Sequence, residues 1–139
     1  MRILLWIVGI IAVLIGAAFL FLGDPEVPRD VLMQKYGQVP SQFVDLPSGA
    51  KAHYRDQGNA AGPALVLLHG SNASLHTWEP WAKNLGDAFR VVTVDLPGHG
   101  LTIAKADETY TAESMSAFVG EFTATIGVER FAVAGNSMG

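Results

Sequence analysis

The chain has 139 residues, enough for one domain at most. Thirteen acidic residues against nine lysines and arginines give a formal net charge of -4, so nucleic acid is not expected as a partner. The absence of cysteine excludes a disulfide framework and a thiolate metal site.

The first segment is strongly apolar. Residues 3–23, ILLWIVGIIAVLIGAAFLFLG, contain no charged or strongly polar side chain. As a helix this run would measure about 31 Å, the thickness of a bilayer core. We therefore predict a transmembrane anchor at residues 1–23, with residues 3–23 in the membrane. The alternative is a signal peptide, cleaved after the small residues Gly16 and Ala18, but the apolar run continues past them.

Charges on the two sides of this segment predict its orientation. Arg2 and the terminal amine precede it, whereas acidic residues outnumber the single Arg29 just after it. This pattern predicts a cytoplasmic N-terminus and a domain outside the cytoplasm, periplasmic or extracellular.

A linker is expected between the anchor and the folded domain. Residues 24–40 contain Pro25 and Pro28, which should end the first helix, and one short helix is expected at residues 29–37. The domain is then predicted to occupy residues 41–139.

Two kinds of strand are predicted in this domain. The runs 42–46 and 51–57 are short and partly alternating, and the intervening PSGA favours an antiparallel hairpin of two half-exposed strands. The apolar runs 64–68, 91–94 and 131–134 are typical of parallel strands buried on both faces. Each of these three runs leads into a glycine-bearing turn.

Helical patterns lie between the apolar strands. The first has apolar side chains at helical spacing, namely Trp78, Trp81, Leu85 and Phe89. The second has Thr111 as N-cap and an apolar stripe formed by Met115, Phe118, Val119, Phe122 and Ile126. Strands that alternate with helices predict an α/β fold, with a mostly parallel sheet covered on both faces and an antiparallel hairpin at its N-terminal side.

The third apolar strand leads into Gly135-Asn136-Ser137-Met138-Gly139, which has the spacing G-x-S-x-G. A strand that turns sharply into a helix holds a serine hydroxyl where a base can reach it. Such a turn leaves room only for small residues at positions 135 and 139. The backbone N–H of Met138 would then point at a developing oxyanion. The motif therefore predicts Ser137 as a nucleophile.

The loop after the first apolar strand, His69-Gly70-Ser71-Asn72, is expected to lie beside this turn. Ligands of open parallel sheets bind beyond the carboxyl ends of the strands, where both segments begin. The backbone N–H of Ser71 would be the second oxyanion donor. His69 is expected to shape the tight turn at Gly70 through hydrogen bonds rather than to act as a base.

Other polar residues near the predicted site are assigned smaller roles. Asn72, Asn136 and His99 are candidates for substrate contact. Asp95 ends the second apolar strand and is expected to close a loop as a hydrogen-bond acceptor rather than to act as a triad acid. His53 is expected to lie on an outer strand with a half-exposed side chain. The spacing of the histidines and acids matches no metal-ligand pattern, so neither a metal nor a cofactor is predicted.

Three segments in this order, LVLLHGSNASLHTWEPWAKNL, FRVVTVDLPGHG and ERFAVAGNSMG, resemble the first half of an α/β-hydrolase fold protein of the single-domain esterase and lipase type. The resemblance covers about residues 41–139. It implies Ser137 as nucleophile, the backbones of Ser71 and Met138 as the oxyanion hole, and a small-molecule ester or related acyl substrate. GNSMG is also similar to the corresponding turn of carbon-carbon bond hydrolases, which usually carry a more glycine-rich loop than HGSNAS, so an ester is expected first.

In this family the triad acid and histidine follow the serine turn. Because the sequence contains neither after Ser137, we expect residues 1–139 to be the N-terminal part of a longer membrane-anchored serine hydrolase, with little activity by themselves. The alternative is a non-catalytic or degenerate tethered fragment. The sequence makes no prediction of oligomeric state.

Overall fold

A computed structural model describes residues 2–21 and 26–139. The helices are α1 (Arg2–Phe21), α2 (Arg29–Tyr36), α3 (Glu79–Leu85) and α4 (Ala112–Thr125), with a short 3₁₀ helix at Leu75–Trp78 before α3. The strands are β1 (Gln42–Asp45), β2 (Lys51–Gly58), β3 (Ala64–Leu68), β4 (Arg90–Val94) and β5 (Phe131–Gly135). Every predicted strand and helix of the domain is present, with shifts of one to a few residues at its ends.

The five strands form one mixed sheet in the order β1-β2-β4-β3-β5. β1 and β2 form the predicted antiparallel hairpin, and β2 continues antiparallel onto β4. β4, β3 and β5 are parallel to one another. The α/β fold class with a hairpin at one side of a parallel sheet is therefore confirmed, and the carboxyl ends of three strands meet at one edge.

Helix α4 covers one face of the sheet. Val66 and Val92 are fully buried on this face and belong to the same hydrophobic cluster as Phe118 and Phe122 of the helix. The helix begins where the sequence predicts, because the Thr111 side chain accepts from the Ser114 backbone N–H in a reciprocal capping box. The predicted apolar stripe of α4 is thus a core-facing surface.

Helix α3 packs on the opposite face. Successive side chains of a strand point to opposite faces, and Leu67 and Val91 form a second cluster with Trp78 and Ala82. The predicted helical stripe is only partly correct here. α3 ends at Leu85, so Phe89 lies beyond the helix.

Trp81 is also an exception to the predicted stripe of α3. Its side chain is exposed and meets Trp78 edge-on, with ring centroids 5.8 Å apart. Ala82 is the buried residue of α3, and Leu85 packs on the same cluster, so the core-facing stripe of the helix runs through these two residues. At about 100° per residue Trp81 lies at the margin of this stripe, where its ring remains exposed.

Strand β5 differs from the prediction in its burial. All five of its residues are exposed, although the apolar run predicted a strand buried on both faces. β5 pairs with β3 on one side and is the last strand of the sheet within the described residues. The apolar composition correctly predicted a strand, but it did not predict which residues pack over that strand.

Helix α1 carries an apolar surface that does not pack on the domain, since side chains 4–16 are exposed. Residues 22 and 23 of the predicted transmembrane segment lie outside the described residues. Within residues 2–21 and 26–139, no helix meets the length and hydropathy needed to cross a bilayer. The transmembrane part of the prediction is therefore not supported by the structure.

Candidate active site

The predicted serine turn follows β5 at the carboxyl edge of the sheet. Gly135 is level with Leu68 of β3 in the parallel register, and the Asn136 N–H donates to the Leu68 carbonyl over 3.1 Å. The Gly139 N–H then donates to the Asn136 carbonyl at 3.0 Å, which closes a tight turn around Ser137. Ser137 has φ of 55°, a left-handed backbone conformation that is uncommon for a residue other than glycine.

The two glycines of the motif are required by close backbone contacts. A Cβ added to Gly135 would overlap the backbone of Gly139, and one added to Gly139 would overlap the carbonyl of Leu68. The strand and the segment after Ser137 therefore approach each other too closely for any side chain. This is the room restriction that the sequence spacing predicts at positions 135 and 139.

The loop after β3 lies directly beside this turn, as predicted. A Cβ added to Gly70 would lie 3.1 Å from the Asn136 carbonyl oxygen and 3.1 Å from the Ser137 Cβ. The Ser71 hydroxyl is 3.9 Å from the Met138 sulfur. The structure thus brings together the predicted nucleophile and the two residues whose backbones are expected to form the oxyanion hole. Their catalytic roles remain predictions.

His69 links this loop to the loop after β4. Its Nε2 accepts from the Leu96 N–H at 3.0 Å, which places the ring proton on Nδ1, 2.8 Å from the Gly70 carbonyl. The imidazole is fully buried, and burial lowers its pKa below the ordinary value of 6.5 despite the Gly70 hydrogen bond. His69 therefore shapes the turn as a neutral group, which agrees with the sequence prediction.

This neutral histidine makes stability depend on pH. Because the pKa of His69 is lower in the folded chain, the unfolded chain binds its proton more readily below pH 6.5. We expect the free energy of unfolding to fall as pH drops below about 6.5, with this one group contributing up to about 1.4 kcal/mol per pH unit. Urea denaturation at pH 7.5, 6.5 and 5.5 measures the slope. His69→Gln, which keeps an acceptor for Leu96 but does not titrate, should reduce it, and equal slopes would contradict this assignment.

Asp95 is the centre of a buried hydrogen-bond network. Its carboxylate accepts from the Leu75 N–H at 2.7 Å and from the Leu101 N–H at 2.8 Å, and His53 Nδ1 lies 2.6 Å away. Burial raises the pKa of Asp95, but these donors outweigh it and hold the pKa below the usual range. Asp95 thus fixes both the segment that leads into α3 and the loop after β4, as predicted for a loop-closing acceptor.

The prediction for His53 is wrong. Its side chain is fully buried rather than half-exposed, and it stacks on Phe43 at 4.8 Å between ring centroids. β2 is not an outer strand, because β1 covers one of its edges and β4 the other. The pairing of β2 with β4 places His53 beside Asp95, whose N–H donates to the His53 carbonyl at 2.9 Å.

The three candidates for substrate contact all lie near the turn. Asn136 immediately precedes Ser137, and Asn72, with φ of 54°, ends the loop that packs against it. The His99 ring is 5.2 Å from the His69 ring, and His99 Nδ1 is 3.1 Å from the Pro97 carbonyl. Substrate contact by these residues remains a prediction.

A wide surface depression of about 800 Å³ lies elsewhere, lined in part by Gln57, Gly58, Lys83 and Gly86. Gly58 is level with Arg90 at the start of β4, so this depression is at the amino edge of the parallel strands. It contains none of the predicted site residues. The size of this depression is therefore no argument against a site at the carboxyl edge, where the predicted site residues lie.

The mixed sheet, the sharp turn at Ser137 and the adjoining His-Gly loop define the architecture of an α/β hydrolase. The family model for the alpha/beta hydrolase fold matches residues 63–139, more than half of the chain. The chain belongs to this family.

Individual relatives have varied activities. The chain is 34% identical over 114 residues to the dihydrolipoyllysine-residue acetyltransferase component of an acetoin cleaving system from Cupriavidus necator, covering 82% of this chain and 30% of that protein. It is 32% identical over 92 residues to an N-formylmaleamate deformylase from Pseudomonas putida, covering 66% of this chain and 34% of that protein. The chain thus spans about a third of the length of the curated relatives it matches.

Among solved structures, a membrane phospholipase A described as a bacterial virulence factor superposes with a TM-score of 0.69 at 30% identity. The match covers 99% of this chain and 44% of that one. A hydrolase from Pseudomonas aeruginosa superposes with a TM-score of 0.66 at 30% identity, over 73% of this chain and 38% of that one.

Proposed function

We propose that residues 1–139 form the N-terminal part of a serine hydrolase that cleaves carboxylic esters through an acyl-enzyme on Ser137. The observation that carries the proposal is the left-handed turn at Ser137 and its contact with Gly70. The Ser137 Cβ lies 3.1 Å from the point that a Cβ on Gly70 would occupy. This turn projects the hydroxyl from the carboxyl edge of the sheet toward the loop that would supply the second oxyanion donor. Relatives named as hydrolases and a deformylase support the general class of reaction.

The proposed reaction has two steps. The Ser137 hydroxyl loses its proton to a histidine and attacks the ester carbonyl carbon, and the alcohol leaves with that proton. Water then attacks the acyl-enzyme, releases the carboxylic acid and restores the serine. The backbone N–H groups of Ser71 and Met138 stabilise the negative oxygen in both steps, and each such donor is typically worth about 3 kcal/mol of barrier. The triad acid and histidine are proposed to lie beyond Gly139, as in the family.

A fluorophosphonate probe tests this proposal, because it modifies only a serine that a base activates. The protein that carries these residues together with its C-terminal part should be labelled at Ser137, and Ser137→Ala should not be labelled. Ser48→Ala, which removes an exposed serine between β1 and β2, is the matched control and should label normally. Absence of labelling in folded protein would favour the non-catalytic alternative.

The choice of an ester over a carbon-carbon bond substrate depends on the loop after β3. The segment HGSNAS carries a single glycine. A phospholipase and an enol-lactonase, both named for ester-type substrates, are among the structural neighbours. Hydrolysis of p-nitrophenyl esters of graded chain length would support the proposal. Turnover of a vinylogous diketone with no ester hydrolysis would favour the alternative.

We further propose that residues 3–23 anchor the protein in a membrane, with the hydrolase domain outside the cytoplasm. Side chains 4–16 of α1 are exposed and apolar, and water is a poor solvent for such a surface. The structural neighbour that covers nearly all of this chain is named a membrane phospholipase A. The Arg2 side of the segment would remain cytoplasmic.

Anchoring predicts a clear result in fractionation. After carbonate extraction, we expect the intact protein to stay in the membrane pellet and a variant without residues 1–23 to become soluble. Alkaline phosphatase fused after Gly37 should be active, since that enzyme folds only outside the cytoplasm. Release of the intact protein by carbonate would contradict the anchor, and an inactive fusion would contradict the orientation.

A further inference from the structure

A small cavity of about 260 Å³ lies under helix α2. Its lining includes Leu32, Tyr36, His53, Ser74, His76 and Leu101. The helix is held over the cavity by the Arg29 guanidinium, which donates to the Leu101 carbonyl at 2.5 Å. None of these residues belongs to the serine turn or to the loop 69–72, so the cavity is not explained by the proposed hydrolysis.

Two imidazoles of the cavity wall are each bonded to a carboxylate. His53 Nδ1 lies 2.6 Å from Asp95 Oδ2, and His76 Nδ1 lies 2.6 Å from Glu79 Oε1. A carboxylate can only accept, so in both rings a proton sits on Nδ1, and in the neutral form of each ring Nε2 carries a free lone pair. Both Nε2 atoms are buried and find no hydrogen-bond partner within residues 2–21 and 26–139.

These two atoms specify what kind of group would bind. A neutral imidazole Nε2 is an acceptor, so a ligand that bonds to it in this form must donate a hydrogen bond. The carboxylates of Asp95 and Glu79 stand behind the rings, and they disfavour an anionic ligand. Buried acceptors left without a partner are rare in folded proteins, so a ligand that donates a hydrogen bond would be stabilised at either Nε2.

The remaining residues of the cavity wall indicate that the rest of the ligand is apolar. Leu32, Leu101 and the ring of Tyr36 give the cavity a mainly apolar lining. A mostly apolar hollow with a few polar atoms at fixed positions is the usual form of a small-molecule site. The His76 side chain keeps 24% of its surface exposed, so this ring has room to adjust its Nε2 toward a ligand.

We propose that this cavity binds a small uncharged alcohol, whose hydroxyl donates to the free Nε2 of His76 or His53 and whose hydrocarbon part contacts Leu32 and Leu101. The site goes beyond the proposed function, because it requires neither Ser137 nor a triad. The chemistry selects an alcohol over a ketone of equal size, since a ketone has no proton to donate.

Cyclohexanol and cyclohexanone are the probes, because they share ring size and differ at the one polar group. The protein that carries residues 1–139 together with its C-terminal part is titrated with each compound in lipid nanodiscs, and binding is followed by the ¹⁵N shifts of the histidine side chains. We expect cyclohexanol to shift the Nε2 resonances of His53 and His76 and to bind at least tenfold more tightly than cyclohexanone. Equal binding of both compounds would overturn the proposal, because it would show that the cavity binds the hydrocarbon ring without a hydrogen bond from the hydroxyl.

Two variants locate the binding. His76→Phe keeps an aromatic ring beside Tyr36, which it contacts at 4.9 Å between centroids, but removes the acceptor. It should bind cyclohexanol at least tenfold more weakly. Asp107→Ala removes an exposed carboxylate outside the cavity wall and should bind it unchanged. Retained binding in His76→Phe, or a response to zinc chloride with none to the alcohol, would overturn the proposal. If His76→Phe does not fold, the comparison of the two probes on the unchanged protein still decides.

Discussion

Replacing Gly135 with alanine is expected to eliminate fluorophosphonate labelling of Ser137 and to destabilise the fold. The added Cβ would overlap the backbone of Gly139, and backbone cannot rotate away as a flexible side chain can. Strand β5 and the turn must therefore separate, which moves Ser137 away from Gly70. Overpacking of this kind costs about 1–3 kcal/mol or more. Because the contact is between two backbone segments, we expect the upper end of that range.

A second glycine provides the matched control for this experiment. A Cβ added to Gly120, in the middle of α4, would meet no atom within 4 Å. Gly120→Ala should raise the free energy of unfolding by about 0.5–1 kcal/mol, because alanine loses less backbone entropy in a helix than glycine does. Urea denaturation and labelling are measured on both variants of the longer protein. Normal labelling in Gly135→Ala would contradict the close approach seen in the structure.

Asp95→Ala is expected to be the most destabilising substitution of a polar side chain in the described domain. It would leave the N–H groups of Leu75 and Leu101 and the buried His53 ring without their acceptor. Removing one partner from a buried charged network typically costs about 3–5 kcal/mol. The free energy of unfolding, measured with urea and the fluorescence of the buried Trp78, provides the test.

The control for Asp95 is an acidic residue on the surface. Asp107 is 87% exposed and forms a 3.5 Å ion pair with Lys105. Such pairs contribute about 0–1 kcal/mol, so Asp107→Ala should change stability little. If both aspartates proved equally tolerant of alanine, the buried network would not be a structural support for the loops at the site.

The sequence predicted those parts of the fold that a short run of neighbouring residues is enough to indicate. Runs of consecutive apolar residues indicated β3 and β4, and the spacing of two glycines around Ser137 indicated the sharp turn. The meeting of Gly70 with Ser137 could also be predicted, although the two are far apart in sequence. It follows from a general rule, because parallel strands place their following loops at one edge.

The sequence could not predict features that depend on neighbours distant along the chain. His53 looked half-exposed because its strand alternates, but the pairing of β2 with β4 buries it beside Asp95. Strand β5 is apolar, yet its exposure depends on what packs over it and not on its own residues. Trp81 was assigned to the core because it is three residues from Trp78 and four from Leu85, but the core-facing side of α3 runs through Ala82 and Leu85. For His53 and β5 the environment is set by tertiary contacts, which a local sequence pattern does not contain.

The left-handed backbone at Ser137 limits the chemistry that this position can acquire by mutation. Threonine is also a hydroxyl nucleophile, but its branched Cβ is strongly disfavoured at a φ of 55°. Unbranched cysteine fits better, and aspartate is enriched in this conformation. Over evolutionary time this backbone therefore favours exchange among serine, cysteine and aspartate, and new reaction types at the turn would arise from that short set.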